Sequence, residues 1–248
     1  MKKILKIGLL GISAVIIVMA ICSFGYYIKF RSETKKMTPI ETGKIADDIF
    51  TIHDSFANLF LIRDSNQYIA IDAGNNILIV SAELQKLNID PDKITAVLLT
   101  HTHGDHVAAI KLFKKAKIYL SRQEEQMING EKSVFLWIGN KIDTKVYSLI
   151  DDDQVFQIGN IKIKGILTPG HTPGSMCYLI NDKYLFTGDL LSIKAGKIDK
   201  FNEFFNMDTK TAIKSIDNIL RIPNCEYIFS AHYGYSNDYK NAVKDWKE

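Results

Sequence analysis

The sequence predicts an α/β domain behind an apolar N-terminal segment. Three observations carry that prediction. Short apolar runs bounded by turn residues alternate with stretches whose apolar residues recur at helical spacing. The 248 residues are 46% hydrophobic and 24% charged, enough for one sizeable core and too apolar for a disordered or fibrous chain. From Ile7 to Ile28, 22 consecutive residues carry no charge.

A membrane-spanning helix needs about 20 apolar residues, whereas the apolar core of a cleaved signal peptide is usually ~7–15. The run is too long for the latter, and no small-x-small cleavage pattern follows it. Cys22 follows Ile21, not the small residue that a lipid-attachment site places there. The expectation is an uncleaved anchor over residues 1–28, a polar juxtamembrane linker over 29–41 and one domain over 42–248. Lys2, Lys3 and Lys6 precede the run, and Lys29, Arg31, Lys35 and Lys36 follow it. Positive flanks mark the cytoplasmic side, and here they nearly balance. By analogy with N-terminal signal anchors, the domain is expected outside the cytoplasm.

Charge narrows the partners. Residues 1–40 carry +6 while the whole chain carries +3, so residues 41–248 carry −3. The domain has no basic excess to hold a phosphate backbone, which argues against a nucleic-acid enzyme. The expected partners are a small-molecule substrate and, through the N-terminal helix, a membrane. Of the three cysteines, Cys22 lies in the anchor, and Cys177 with Cys225 is too sparse a set for a disulfide framework. Both are expected as buried thiols.

In chain order, strands are expected at Ile49–His53, Ala57–Ile62, Tyr68–Asp72, Ala96–Thr100, Lys117–Leu120, Ile161–Leu167, Met176–Ile180, Tyr184–Thr187 and Tyr227–Ser230. Helices are expected at Ile77–Leu87, at His106–Lys115 with Asp105 as N-cap, and at Asp208–Arg221 with a stripe of Ile213, Ile216, Ile219 and Leu220. There is a faint internal echo. "NLFLIRDSNQYIAIDAG" and "SMCYLINDKYLFTGDL" each read as two strands around a polar turn, closing on Asp72 and Asp189.

The chemistry concentrates at strand ends. "VLLTHTHGDH", residues 97–106, holds three of the chain's six histidines and an aspartate. Alternate residues of extended backbone point the same way, so His101 and His103 can grip one ion together. Gly104 permits a bend, and Asp105 and His106 can then turn back toward the same place. A lone histidine is usually a satisfied core or surface residue; three with an aspartate in six positions are not. His171 in "TPGHTPGS", Asp189 in "FTGDLL" and His232 in "AHYG" each follow another expected strand. In layered α/β folds functional groups gather beyond the strand ends. His53 has no such partner and reads as a loop residue at the edge of the site at most.

This pattern resembles the metallo-β-lactamase fold superfamily. "THTHGDH", "TPGHTPGS", "FTGDLL" and, at residues 70–74, "AIDAG" carry the resemblance, which spans essentially residues 42–248. It implies a four-layer αββα sandwich with metals at one edge. It further implies that His101, His103 and His171 hold one metal, that Asp105, His106 and His232 hold a second, and that Asp189 bridges them. Thr102 and Gly104 would be spacers, and the aspartate of "AIDAG" mostly structural. Nitrogen and carboxylate donors suit zinc, with iron and manganese also accepted. The implied reaction is hydrolysis of an ester, lactone, thioester or amide by a hydroxide shared between two zinc ions, with Asp105 and Asp189 orienting it and moving its proton.

Asp189 discriminates within the family. True β-lactamases of this pattern carry cysteine or a non-bridging residue there, whereas aspartate resembles the glyoxalase II and lactonase-type hydrolases. Glyoxalase II adds a helical C-terminal domain, and only 16 residues follow His232 here. Nuclease members add binding modules and basic surface. Two other readings stay open: a mononuclear iron enzyme like the persulfide dioxygenases, and a non-catalytic metal-binding accessory domain. Tyr233 and Tyr235 are either proton donors or packing aromatics, and packing is expected. Phe135 and Trp137 are expected to pack, with the mouth of the site as the alternative. The phenylalanines of "FNEFFNMD", residues 201–208, are either a pocket rim or core.

Overall fold

Elements begin and end where apolar runs meet residues that tolerate a turn. The computed structural model describes residues 2–134 and 139–247, and the chain divides into two units, Met1–Met37 and Thr38–Glu248. The first unit holds one helix, α1 (Lys2–Thr34), which continues through residues 29–34 of the segment expected as linker. Lys29 and Lys36 both pair with Glu33, at 2.7 Å each, so side chains one helical turn apart support its last turns. Among the described residues, one segment, Val15–Thr34, is long and apolar enough to cross a membrane by length and composition.

The second unit is built on two sheets. The first lies in sequence order: β1 (Gly43–Lys44), β2 (Ile49–Asp54), β3 (Ala57–Asp64), β4 (Gln67–Ile71), β5 (Ile94–Leu98), β6 (Lys117–Ser121) and β7 (Ser148–Ile150). Its first four strands pair antiparallel and β4 to β7 pair parallel. The second sheet uses β8 (Val155–Ile158), β9 (Ile161–Leu167), β10 (Met176–Ile180), β11 (Tyr184–Phe186), β14 (Tyr227–Phe229) and β15 (Tyr235–Ser236), in spatial order β15-β14-β11-β10-β9-β8. Between them in sequence, β12 (Leu191–Lys194) and β13 (Lys197–Lys200) form a separate hairpin. The helices of this unit are α2 (Ile77–Lys86), α3 (Gly104–Val107), α4 (Glu125–Ile128), α5 (Thr209–Ile219) and α6 (Tyr239–Val243).

Alternation along the strands sorts side chains into three apolar layers. Leu59 and Leu61 of β3 face outward and pack with Val80 and Leu84 of α2 and Val107 of α3. Phe60 and Ile62, on the other face of the same strand, meet Ile163, Tyr178, Phe186 and Phe229 between the sheets. Leu179, Leu185 and Ile228 of the second sheet cover Ile216 and Ile219 of α5 and Tyr239 of α6. The order is helices, sheet, sheet, helices: the expected αββα sandwich. Because both faces are covered, β10 is buried at every residue and reads as an unbroken apolar run.

Polar bonds also cross between the sheets. Beyond the end of β5, Thr100 O accepts from Met176 N and Leu99 O from the Tyr178 hydroxyl, both at 2.9 Å and both from β10.

All nine expected strands form. Within the second unit, two expectations change. The helix expected over His106–Lys115 is one turn, α3, followed by a 3-10 turn at Ile110–Leu112. Its N-cap is His103, not Asp105. The cause is competition for the backbone: Ala73 N takes the carbonyl of His106, and Ala109 N donates to Gly74 O. His53 lies inside β2, not in a loop; its ring faces Ser55 O at 3.1 Å and Glu41 at 3.6 Å. Phe135 and Trp137 lie outside the described residues.

Candidate metal centre

Every residue expected at the site leaves the end of a strand, and the two sheets contribute from opposite sides. After β5, His101, Thr102 and His103 run to α3, whose first turn carries Asp105 and His106. After β9, β11 and β14 come His171, Asp189 and His232. The structure brings all seven candidate ligands together. His171 Nε2 lies 3.1 Å from His101 Nε2 and 2.9 Å from His103 Nδ1. Asp105 Oδ2 lies 3.6 Å from His106 Nε2 and 3.4 Å from His232 Nε2. Asp189 reaches both groups: Oδ1 is 3.4 Å from His106 Nε2, and Oδ2 is 3.3 Å from His171 Nε2 and 3.2 Å from His232 Nε2. Three triads have ligand atoms within 4.8 Å of one another: His101–His103–His171, His101–His106–Asp189 and Asp105–His106–His232.

The rings are aimed from behind. His106 Nδ1 faces Asp72 Oδ2 at 2.8 Å, and His232 Nδ1 faces Phe56 O at 2.7 Å. His101 Nδ1 is 3.1 Å from Thr100 Oγ1, and His171 Nδ1 is 3.3 Å from Asn206 Oδ1. Holding Nδ1 fixes the orientation of these four rings and turns Nε2 inward, whereas His103 faces His171 through Nδ1. Asp72 is itself held, accepting from Thr100 N at 2.7 Å and from the Thr100 hydroxyl. Gly188 makes room for Asp189. Its φ is +53°, and a Cβ there would lie 2.7 Å from the Thr100 side chain, so only glycine fits without strain.

Burial and crowding split the titrations. Burial, aided by neighbouring histidines, holds His101 far below its ordinary value and takes His103 down to about 3. Burial also acts to strip His232 of its proton, but Asp189 and Asp105 outweigh it and hold the ring up to about 10. His106 follows the same pattern, with Asp189, Asp105 and Asp72 as the opposing charges. Burial pushes the Asp105 and Asp189 carboxyls up; the adjacent histidines reverse that and keep both well below the carboxylate range.

This donor set fits a divalent ion. Imidazole nitrogens with lone pairs about 3 Å apart repel in the protein alone and are drawn together by a cation. Two of the site-facing atoms, His106 Nε2 and Asp189 Oδ1, are buried without a hydrogen-bond partner, an expensive state unless something else satisfies such atoms.

Around the ligands, Phe201 is fully buried and packs edge-on to His171 and tilted on His232, with centroids 5.4 and 5.8 Å away. Phe204 and Phe205 are half-buried beside it. The segment is bound to the ligand loop, since Met207 N donates to His171 O. "FNEFFNMD" is therefore both core and wall of the site. Tyr233 is buried beside Phe201, and Tyr235 stacks on Phe229 in the inter-sheet core; both pack, as expected. Sequence reasoning missed Glu124. Its side chain is fully buried and accepts from Thr102 N and from the hydroxyls of Thr102 and Thr172.

Comparison with known proteins identifies the family. The family model described as the Metallo-beta-lactamase superfamily matches residues 54–232. A probable polyketide biosynthesis zinc-dependent hydrolase, BaeB of Bacillus velezensis, is 33% identical over 57% of this chain and 58% of the relative. A hydroxyacylglutathione hydrolase of Buchnera aphidicola is 30% identical over 71% of this chain and 62% of the relative. The chain thus spans a little over half the length of these two proteins. Among solved structures, a B3 metallo-beta-lactamase with an active-site glutamic acid superposes with a TM-score of 0.66, covering 88% of this chain and 89% of that one at 20% identity. That likeness concerns the fold.

Proposed function

Because the chain belongs to the metallo-beta-lactamase superfamily, we propose that it is a hydrolase working with two zinc ions on an ester, lactone, thioester or amide. One observation carries the dinuclear reading: the Asp189 carboxylate lies within 3.2–3.4 Å of histidines from both ligand groups. His101, His103 and His171 would hold one ion, Asp105, His106 and His232 the other, with Asp189 common to both. Bound zinc lowers the pKa of water to roughly 7 and so supplies a nucleophile at neutral pH. The protein's part is to aim and to move protons. Asp105 and Asp189, each within 3.2–3.6 Å of ligand histidines, would orient the attacking water and move its proton toward the leaving group. Phe201 shields His171 and His232 from solvent on one side. The names of the zinc-dependent and hydroxyacylglutathione hydrolases support hydrolysis.

In the same reading α1 is an uncleaved membrane anchor and the catalytic unit lies outside the cytoplasm. Protease protection of that unit in spheroplasts would overturn the topology.

The deciding experiment is metal analysis by mass spectrometry of the full chain in detergent, beside the His101→Ala/Asp189→Ala double variant. Two zinc ions per chain, lost in the variant, with turnover on a lactone, thioester or amide panel, are expected. One iron per chain with oxygen consumption would overturn the hydrolase reading, and a metal-replete chain inert on every substrate would favour an accessory role.

A further inference from the structure

We propose that Glu124 is a positioning residue that locks together the two metal-ligand loops delivered by opposite sheets. This rests on the two-zinc reading above and goes beyond it, since Glu124 is no ligand and belongs to none of the sequence motifs. The carboxylate is 0% exposed. Oε1 accepts from Thr102 N at 2.8 Å and from the Thr102 hydroxyl at 2.7 Å; Oε2 accepts from the Thr172 hydroxyl at 2.6 Å. Thr102 sits between the ligands His101 and His103, and Thr172 follows the ligand His171 directly. One carboxylate thus spans the loop after β5 and the loop after β9, the two segments that supply the His101–His103–His171 triad.

The surroundings hold the carboxylate in place. It leads from the 3-10 turn Arg122–Glu124, capped by Ser121, whose hydroxyl accepts from Glu124 N at 3.1 Å and donates to Gly174 O at 2.6 Å. A Cβ on Gly174 would lie 2.1 Å from Glu124 N, so the second loop presses directly on the turn. Asn140 Nδ2 donates to the Thr102 hydroxyl at 2.9 Å, leaving that hydroxyl's proton to Glu124. The three groups named as donors to this carboxylate carry no charge. Burying an ion without a counter-charge is costly, and an apolar residue of similar volume is often more stabilising. A carboxylate is suited here because its two oxygens collect hydrogen bonds from both loops at once.

The test compares the full chain with Glu124→Gln, which keeps shape but turns one acceptor into a donor, and Thr172→Val, which deletes one link. Zinc affinity is read by competition with a chromophoric chelator, and unfolding of the metal-free chain by circular dichroism. A residue that only props the fold lowers the unfolding midpoint and leaves zinc affinity unchanged. The expected result is zinc binding about 10–100-fold weaker in Glu124→Gln, a smaller loss in Thr172→Val, and a double variant no worse than Glu124→Gln because both act on one link. Zinc affinity within twofold of wild type in both single variants overturns the proposal while leaving the two-zinc reading intact. A wild-type chain that binds no zinc overturns that reading and this one with it.

Discussion

Asp72 and Asp189 close the same construction in the two halves of the molecule, yet they face opposite tasks. Each follows an antiparallel hairpin, β3–β4 or β10–β11, whose second strand then pairs parallel to a later one. Asp72 follows β4 immediately and is saturated by Thr100 N, the Thr100 hydroxyl and His106 Nδ1. Asp189 stands three residues beyond β11, across Gly188, and its Oδ1 accepts no hydrogen bond. Two more residues of loop and the loss of local donors convert a carboxylate that aims a histidine into one that faces the candidate metal centre. Thr100 separates them: it donates to Asp72 on one side and fits against Gly188 on the other.

Substitutions at these positions test the contrast, the largest effect first. Asp189→Ala should cut kcat by about 10³-fold, within the range lost with a proton-transfer group, and should release zinc; steady-state kinetics with metal analysis checks both. Asp72→Asn keeps volume but weakens the hold on His106 Nδ1, so zinc affinity should fall about 10–100-fold with the fold intact, as chelator competition would read. If Asp72→Asn matched Asp189→Ala in turnover, the division of labour would be wrong. Gly188→Ala forces a Cβ onto Thr100 at positive φ and should destabilise by about 1–3 kcal/mol, measurable by denaturant unfolding. The smallest effect is protonic. His232, held up to about 10 by Asp189 and Asp105 against burial, must lose its proton to bind zinc. In the metal-free chain its charge supports the fold fully below the ordinary histidine value, and that support fades as pH climbs through about 10. Zinc affinity runs the opposite way, rising with pH across that window. His106, raised by the same carboxylates, must likewise lose its proton, so calorimetry at pH 7 in two buffers of different ionisation enthalpy should detect about two protons released on zinc binding.

The strands that matter for the site were legible because each is an apolar run ending in a chemically odd residue, and the ligands follow those ends. What escaped is set by contacts distant in sequence. Glu124 meets partners 22 and 48 residues away, and "SRQEEQ" offers no pattern that singles it out. The helix after Asp105 looked longer because Ala108, Ala109 and Ile110 favour helix, whereas Ala73 N and Gly74 O compete for its backbone. The short edge strands β1 and β15 have two residues each, too few for a period. The hairpin β12–β13 has a signal in "LSIKAGKIDK", two short runs around Ala195 and Gly196, both at positive φ, but its runs are too short to stand out beside the longer strands.

The hydrogen bonds that cross from β10 to Leu99 and Thr100 have a mechanical consequence. Two apolar sheets in contact have no strong preference for one registration over another, since sliding exchanges like contacts for like. Here four of the seven candidate ligands hang from one sheet and three from the other, so any slip between layers would appear undiminished as misfit among the ligands. Pegging the layers at that edge removes the soft coordinate where it would do most harm, and at the opposite end of the strands Asp64 of β3 accepts from Asn160 N and Nδ2 of the β8–β9 turn, at 2.8 and 2.9 Å, pinning the layers a second time.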